Sequence, residues 1–179
     1  FRSQVKPELP FTPGAEAFGI IEACGPDCQI FKEGNRVMGI ASHGAFAEEM
    51  LIEEKQAYQV PENFPVEHAA GFLMTHQTSY FALVHRAALR PGETLLVHGG
   101  SGGVGTTAIQ IGKALGARVF ATAGTDEKLE ICRQCGADEV LNYEKEDFTL
   151  AVKEWTAGKG ADVIYDPVGG EVLERSTKC

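Results

Sequence analysis

A glycine-rich turn between an apolar run and a helical pattern constrains this chain more than any other feature. The apolar run covers residues 94–98, and the helical pattern begins at Gly103. Gly100, Gly102 and Gly105 fit the spacing G-x-G-x-x-G. Between a strand and a helix this spacing is typical of dinucleotide binding, because free amides at the helix N-terminus can bind a pyrophosphate. The alternative is a glycine-rich turn with a purely structural role.

The end of the next predicted strand indicates which dinucleotide is preferred. This strand covers residues 118–122 and leads into Ala123, where NAD enzymes usually carry an acid that binds the ribose 2′-hydroxyl. Lys128, further on, offers a positive charge for the 2′-phosphate of NADP. Asp126 and Glu127 are expected in the first turn of the next helix, where acids suit the helix dipole. The pattern favours NADPH over NADH, with an exposed helix residue as the alternative role for Lys128.

The composition is that of an ordinary soluble globular protein. Hydrophobic residues make up 44% of the chain and charged residues 23%, which is too apolar for a disordered protein. A net charge of -9 argues against nucleic-acid binding, and no apolar run approaches the roughly 20 residues that cross a bilayer. The odd number of five cysteines does not suit a secreted disulfide framework. We expect a cytoplasmic protein without nucleic-acid or membrane partners, and a mitochondrial location stays open.

The chain has two parts that differ in their residue pattern. The first part has short strand-like runs between glycine and proline turns, which predicts a small antiparallel barrel. After residue 65 two helices are expected, and strands then alternate with helices, which predicts a parallel sheet covered on both faces. The predicted fold is therefore α/β, a doubly wound parallel sheet preceded by part of a small barrel. The expected strands cover 18–23, 36–40, 45–52, 94–98, 118–122, 139–142 and 162–166, and the expected helices 66–73, 77–88, 103–115, 126–135, 147–156 and a last one from Glu171.

Several segments together match the motifs of one enzyme superfamily. They are residues 11–16, 19, 31–39, 78–80, 90–93 and 98–105. Jointly they resemble the medium-chain dehydrogenases/reductases, and most closely the zinc-independent quinone oxidoreductases of the zeta-crystallin group. The resemblance implies a partial GroES-like catalytic domain over 1–75 and a partial Rossmann domain over 76–179. It also implies about 50 residues in front and more than about 100 behind, so we expect this chain to belong to a longer polypeptide.

The resemblance implies a function and completes a set of cofactor-binding residues. The function is an NADPH-dependent reductase that transfers hydride to a quinone or another conjugated carbonyl. Tyr143 matches a tyrosine that packs near the 2′-phosphate, and Thr78 matches a threonine near the nicotinamide carboxamide. The alternatives are a half-buried strand-end tyrosine and an ordinary helix hydroxyl. The full expected set is Thr78, Gly100, Ser101, Gly102, Gly103, Val104, Gly105, Gly124, Thr125, Lys128 and Tyr143.

No metal site is expected. Zinc dehydrogenases of the superfamily carry Gly-His-Glu where this chain has Ala15, which has no ligating atom. The pairs Cys24–Cys28 and Cys132–Cys135 lie too far apart in sequence for an ordinary zinc site. The second pair falls near a helix end, where packing is a better explanation than redox chemistry. Without a metal to polarise a carbonyl, the substrate itself must be electrophilic, as quinones and enones are.

Other assignments stay open at this point. No general acid is assigned, and His98 is expected to pack beneath the glycine turn rather than to take part in chemistry. Two other functions are kept: an enoyl-thioester reductase of the same superfamily, and an NADPH-binding protein without turnover. A homodimer is expected for the full-length protein.

Overall fold

Two structural units follow one another along the chain in the computed structural model, which describes residues 8–179. They divide between Met74 and Thr75. The first unit contains a three-stranded antiparallel sheet whose middle strand is the second in sequence. Its strands are β1 (Glu16–Ile20), β2 (Arg36–Ile40) and β3 (Ala57–Gln59).

The strands of this first unit were only partly predicted. The strand expected over 18–23 begins at Glu16 and ends at Ile20, and the strand at 36–40 is present. The strand expected over 45–52 was wrong, since this segment is irregular. The amides of Ala45 and Phe46 donate to the carbonyls of residues 14 and 13, so they do not form a strand ladder. The short strand β3, which follows a 3₁₀ turn, was missed.

Two helices lie in sequence between the sheet of the first unit and the sheet of the second. Helix α1 (Val66–Ala69) ends earlier than expected, and helix α2 (Leu73–Tyr80) begins earlier. A π-helical segment, Phe81–Arg86, continues from α2. The interruption falls around Gly71, and glycine is a poor helix former because of its backbone freedom.

Four parallel strands form the sheet of the second unit, and a helix follows each of them. In space the third strand lies next to the second, the second next to the first, and the first next to the fourth. This order is that of a doubly wound sheet, so the predicted fold class is confirmed. The strands are β4 (Thr94–Val97), β5 (Arg118–Ala123), β6 (Glu139–Asn142) and β7 (Val163–Tyr165), and the helices are α3 (Gly103–Ala114), α4 (Asp126–Gln134), α5 (Phe148–Trp155) and α6 (Glu171–Ser176).

Helices cover both faces of this sheet because side chains alternate along each strand. Leu95 and Val97 belong to one apolar cluster, which includes Ile109 of α3. Leu96, between them, belongs to a second cluster that includes Phe148 of α5. Because the four strands are parallel, their carboxyl ends meet at one edge of the sheet, where ligands of such sheets bind.

Within the described residues, no helix is both long enough and apolar enough to cross a bilayer.

Candidate functional site

The turn between β4 and α3 presents backbone amides at the start of a helix. Gly102 is the N-cap of α3, and its own amide donates to the carbonyl of Gly99 at 3.0 Å. In the part of the chain that the structure describes, no side chain caps this helix end. The first-turn amides of Gly103, Val104 and Gly105 have no acceptor within the helix. This end of α3 can therefore receive an anion such as a pyrophosphate.

Two glycines of the turn occupy positions where a side chain would not fit. A Cβ at Gly105 would overlap the carbonyl oxygen of Gly99 and lie 2.8 Å from Cα of Gly100. A Cβ at Gly100 would lie 2.8 Å from Sγ of Cys132 and 3.1 Å from Cβ of Ala121. Strand, turn and helix therefore approach one another with backbone atoms in contact, as a dinucleotide-binding turn requires.

Helix α2 approaches the same turn through a residue that the sequence reasoning missed. Thr78 is exposed on α2 and Ser101 is half-buried in the turn. Ser79, next to Thr78, is fully buried. Its hydroxyl donates to the carbonyl of Val104 at 2.9 Å and lies 2.8 Å from Oγ1 of Thr107. Ser79 thus attaches α2 to α3, and its place in the family motif at 78–80 was the only signal of it in the sequence.

The residues expected around the 2′-phosphate lie together beyond the end of β5. A Cβ at Gly124 would lie only 2.9 Å from the hydroxyl of Tyr143, so the ring lies against that glycine. The Tyr143 amide donates to the carbonyl of Ala123 at 3.2 Å. Thr125 caps α4, and its hydroxyl accepts from the amide of Lys128 at 3.4 Å. None of the ion pairs among the described residues involves Lys128.

An ion pair lies beside this group. As expected, Asp126 and Glu127 occupy the first turn of α4. Nζ of Lys145 donates to both carboxylate oxygens of Asp126, at 2.7 and 3.0 Å, and Nδ2 of Asn142 donates to one of them at 3.2 Å. These bonds, that of Lys145 first, hold the pKa of the Asp126 carboxyl below its usual range. Lys145 was not singled out from the sequence, where it is one of several charged residues after β6.

His98, directly before the glycine turn, is buried among hydroxyl and aromatic side chains. Its Nδ1 lies 2.9 Å from Oγ1 of Thr122, and its Nε2 lies 2.9 Å from Oγ of Ser176. The ring meets that of Phe148 edge-on, with the centroids 4.7 Å apart. Burial lowers the pKa of His98, so the imidazole is neutral near neutral pH. Asp166 lies at the same sheet edge, and its Oδ2 is buried without a hydrogen-bond partner among the described residues.

The cysteines are unpaired, and the surroundings of Cys28, Cys132 and Cys135 keep these three thiols protonated. Cys132 is fully buried under the turn, and burial raises its pKa to about 11. Burial also raises the pKa of Cys135. In the first unit, Sγ of Cys28 donates to Oε1 of Glu54 at 3.0 Å, and this bond raises the pKa of Cys28 to about 11. These thiols act as packing and hydrogen-bonding groups, since only a thiolate is nucleophilic.

The first unit contains the position at which zinc dehydrogenases carry a histidine. Ala15 precedes β1 there, and the carboxylate of its neighbour Glu16 accepts from the amide of Met74 at 3.0 Å. Among residues 8–179, no group of three or more His, Cys, Asp and Glu side chains could hold a metal ion. Zinc independence stays a prediction that elemental analysis can test.

Both halves of the chain match family models. Residues 1–62 match the alcohol dehydrogenase GroES-like domain, and residues 103–179 match the zinc-binding dehydrogenases. The human quinone oxidoreductase is 40% identical over 171 residues, which are 95% of this chain and 52% of that protein. The chain spans about half the length of the curated relatives it matches.

Solved structures with the same fold extend this similarity. The Escherichia coli quinone oxidoreductase complexed with NADPH has a TM-score of 0.91 and 36% identity, covering 98% of this chain and 54% of that one. The CurK enoyl reductase has a TM-score of 0.86 and 31% identity, covering 93% of this chain and 50% of that one.

Proposed function

Because the chain belongs to the medium-chain dehydrogenases/reductases, in their quinone oxidoreductase branch, we propose that the whole protein is an NADPH-dependent reductase of quinones or other conjugated carbonyls. One observation carries the cofactor part of this proposal. The uncapped start of α3 and the end of β5, where Ala123 stands in place of the usual acid, lie at the same edge of one parallel sheet. The former fits a pyrophosphate and the latter fits a 2′-phosphate.

The residues present fit the cofactor at both positions. The amides of residues 103–105 would bind the pyrophosphate, and the close approach of Gly105 to the carbonyl oxygen of Gly99 leaves no room for a side chain there. Lys128 would supply a charge for the 2′-phosphate, with Tyr143, Gly124 and Thr125 around it. The family resemblance adds Ser101 in the turn, and it adds Thr78, an exposed residue of α2, for the nicotinamide carboxamide.

The chain's contribution to the reaction is binding and orientation. NADPH, when bound, supplies a hydride, so the protein need not provide a redox group of its own. The buried hydroxyl of Ser79 fixes α2 against α3 and thereby positions Thr78 and the glycine turn relative to each other. Ala15 stands where the zinc enzymes carry a ligand, so the proposed substrates are carbonyl compounds that are electrophilic without a metal.

The test is NADPH oxidation by the whole protein against a substrate panel. We expect turnover with quinones and conjugated enones, and none with simple ketones or alcohols. Replacing NADPH by NADH should lower the rate at limiting cofactor. Turnover of simple ketones, or NADPH binding without turnover of any panel member, would contradict the proposal; the latter result would indicate a cofactor-binding protein without catalysis.

A second candidate is an enoyl-thioester reductase. The similarity to the CurK enoyl reductase favours it, since this fold serves that reaction as well. The same panel, with an enoyl thioester and a quinone of matched solubility, separates the two. A thioester preference of tenfold or more in kcat/KM, on the order of 1.4 kcal/mol, would favour this second candidate.

The assembly and location of the whole protein are also proposals. A homodimer and a small-molecule substrate follow from the family resemblance, and a cytoplasmic location follows from the unpaired cysteines. The net charge of -9 supports the absence of a nucleic-acid partner. Sedimentation analysis and cell fractionation measure these properties directly.

A further inference from the structure

An acidic residue lies on the rim where the 2′-phosphate is proposed to bind. Asp126 is the first residue of α4 and directly follows Thr125. Its carboxylate accepts from Asn142, the residue before Tyr143, and the Tyr143 ring lies against Gly124. The carboxylate therefore belongs to the same cluster as the groups proposed to surround the phosphate.

Such a carboxylate would by itself favour the wrong cofactor. An acid in this region of the fold accepts hydrogen bonds from a ribose 2′-hydroxyl and so selects NADH. It also repels a phosphate group through its charge. Asp126 is ionised at neutral pH, as an exposed aspartate ordinarily is, and the ammonium of Lys145 and the amide of Asn142 lower its pKa further.

Lys145 removes both effects. Its ammonium is 2.7 Å from one carboxylate oxygen of Asp126 and 3.0 Å from the other, so it neutralises the charge and competes with a ribose for both oxygens. The lysine side chain is 61% exposed and that of the aspartate 68%, so the pair contributes little to folding.

We infer that Lys145 determines cofactor specificity: by neutralising Asp126 it turns an acidic rim into one that accepts the phosphate of NADPH. The inference rests on the proposed function and adds a residue to it, because Lys128 alone would face the unneutralised charge of Asp126. Lys145 acts through Asp126 and is a positioning and charge-balancing residue, not a ligand of the cofactor.

The test is a set of dissociation constants for NADPH and NADH with the whole protein. In K145M the apolar stem remains and the charge is lost. We expect the preference for NADPH over NADH to fall about tenfold, through weaker NADPH binding and unchanged or tighter NADH binding. The double variant D126N/K145M removes both charges, and it should recover most of the preference. K55M is the matched control, since Lys55 forms an equally short, 2.7 Å exposed pair with Glu53 in the other unit.

The outcomes separate the inference from the function it rests on. Wild-type protein that prefers NADPH, together with a K145M preference within twofold of wild type, overturns the inference and leaves the proposed function intact. Equal losses for both cofactors in K145M, or no recovery in the double variant, overturn it as well, because they indicate a structural role. Wild-type protein that binds neither cofactor overturns both. An effect of K145M that shrinks as salt is added supports the electrostatic origin.

Discussion

At the scale of single residues, Lys128 is the side chain on which the cofactor proposal depends most directly. Its amide is held by the Thr125 hydroxyl, while its ammonium makes none of the ion pairs found among the described residues. We expect Lys128→Ala to weaken NADPH binding about 10- to 150-fold, because a charge-assisted contact to phosphate is lost, and to leave NADH binding unchanged. Titration of both cofactors measures this. Lys153→Ala, on exposed α5 surface, is the control, and unchanged NADPH affinity in Lys128→Ala would reduce Lys128 to an ordinary surface residue.

A second prediction at this scale concerns His98 and the pH dependence of the free energy of unfolding. Burial lowers its pKa in the folded protein, so the unfolded chain binds a proton more readily than the folded one. The free energy of unfolding should therefore be highest above about pH 6.5, the ordinary histidine pKa, and should fall as the pH drops below it toward the lower folded value. Urea unfolding from pH 8 to 5 in wild type and His98→Gln checks this. A His98→Gln variant with the same pH slope as wild type over this range would contradict it.

At the scale of elements, the glycine turn links β4 to α3 through contacts that only glycine permits. Gly105→Ala would place a Cβ against the carbonyl oxygen of Gly99, so we expect a loss of about 1–3 kcal/mol in the free energy of unfolding and weaker NADPH binding. Gly71→Ala is the matched control, because a Cβ there meets nothing within 4 Å. Chemical unfolding of both variants is the measurement. Equal stabilities would show that the turn and α3 can shift to make room for the added methyl group.

The elements of the two units differ in how far they could be predicted from sequence. From β4 to α6 each strand has a helix after it, and every predicted bound lies within one residue of the structure; the helix predicted over 77–88, by contrast, begins at Leu73 and ends at Tyr80. The alternating apolar residues there are buried on both faces, so pattern and packing agree. In the first unit the segment 45–52 has a strand-like pattern, but Phe46 and Leu51 are exposed and the segment lacks a strand partner among the described residues. A pattern alone does not supply the partner that a strand requires.

In the candidate site, the features that depend on the backbone could be predicted from the sequence, and those that depend on side-chain partners could not. The glycine turn and the end of β5 were predictable because backbone geometry restricts which residues fit, as at Gly100 and Gly105. Ser79 and Lys145 were not, because their roles depend on which helix or strand end lies opposite them: α3 for Ser79, and Asp126 of α4 for Lys145. Such partners are distant in sequence, and a single sequence gives no signal that pairs them.

At the scale of the whole molecule, the family to which the chain belongs includes zinc enzymes, so metal content is the property that most sharply divides the possible activities. A zinc site needs three or four ligating side chains, and Ala15 supplies no donor atom at the position of one of them. We expect purified whole protein to carry no stoichiometric zinc and to keep the proposed quinone reductase activity after prolonged treatment with a strong chelator. Elemental analysis and assays before and after chelation measure both, with a zinc-dependent alcohol dehydrogenase treated in parallel as the positive control. About one zinc per chain, or activity that chelation abolishes and zinc restores, would overturn the assignment to the zinc-independent branch, and would require ligands other than those of the zinc dehydrogenases.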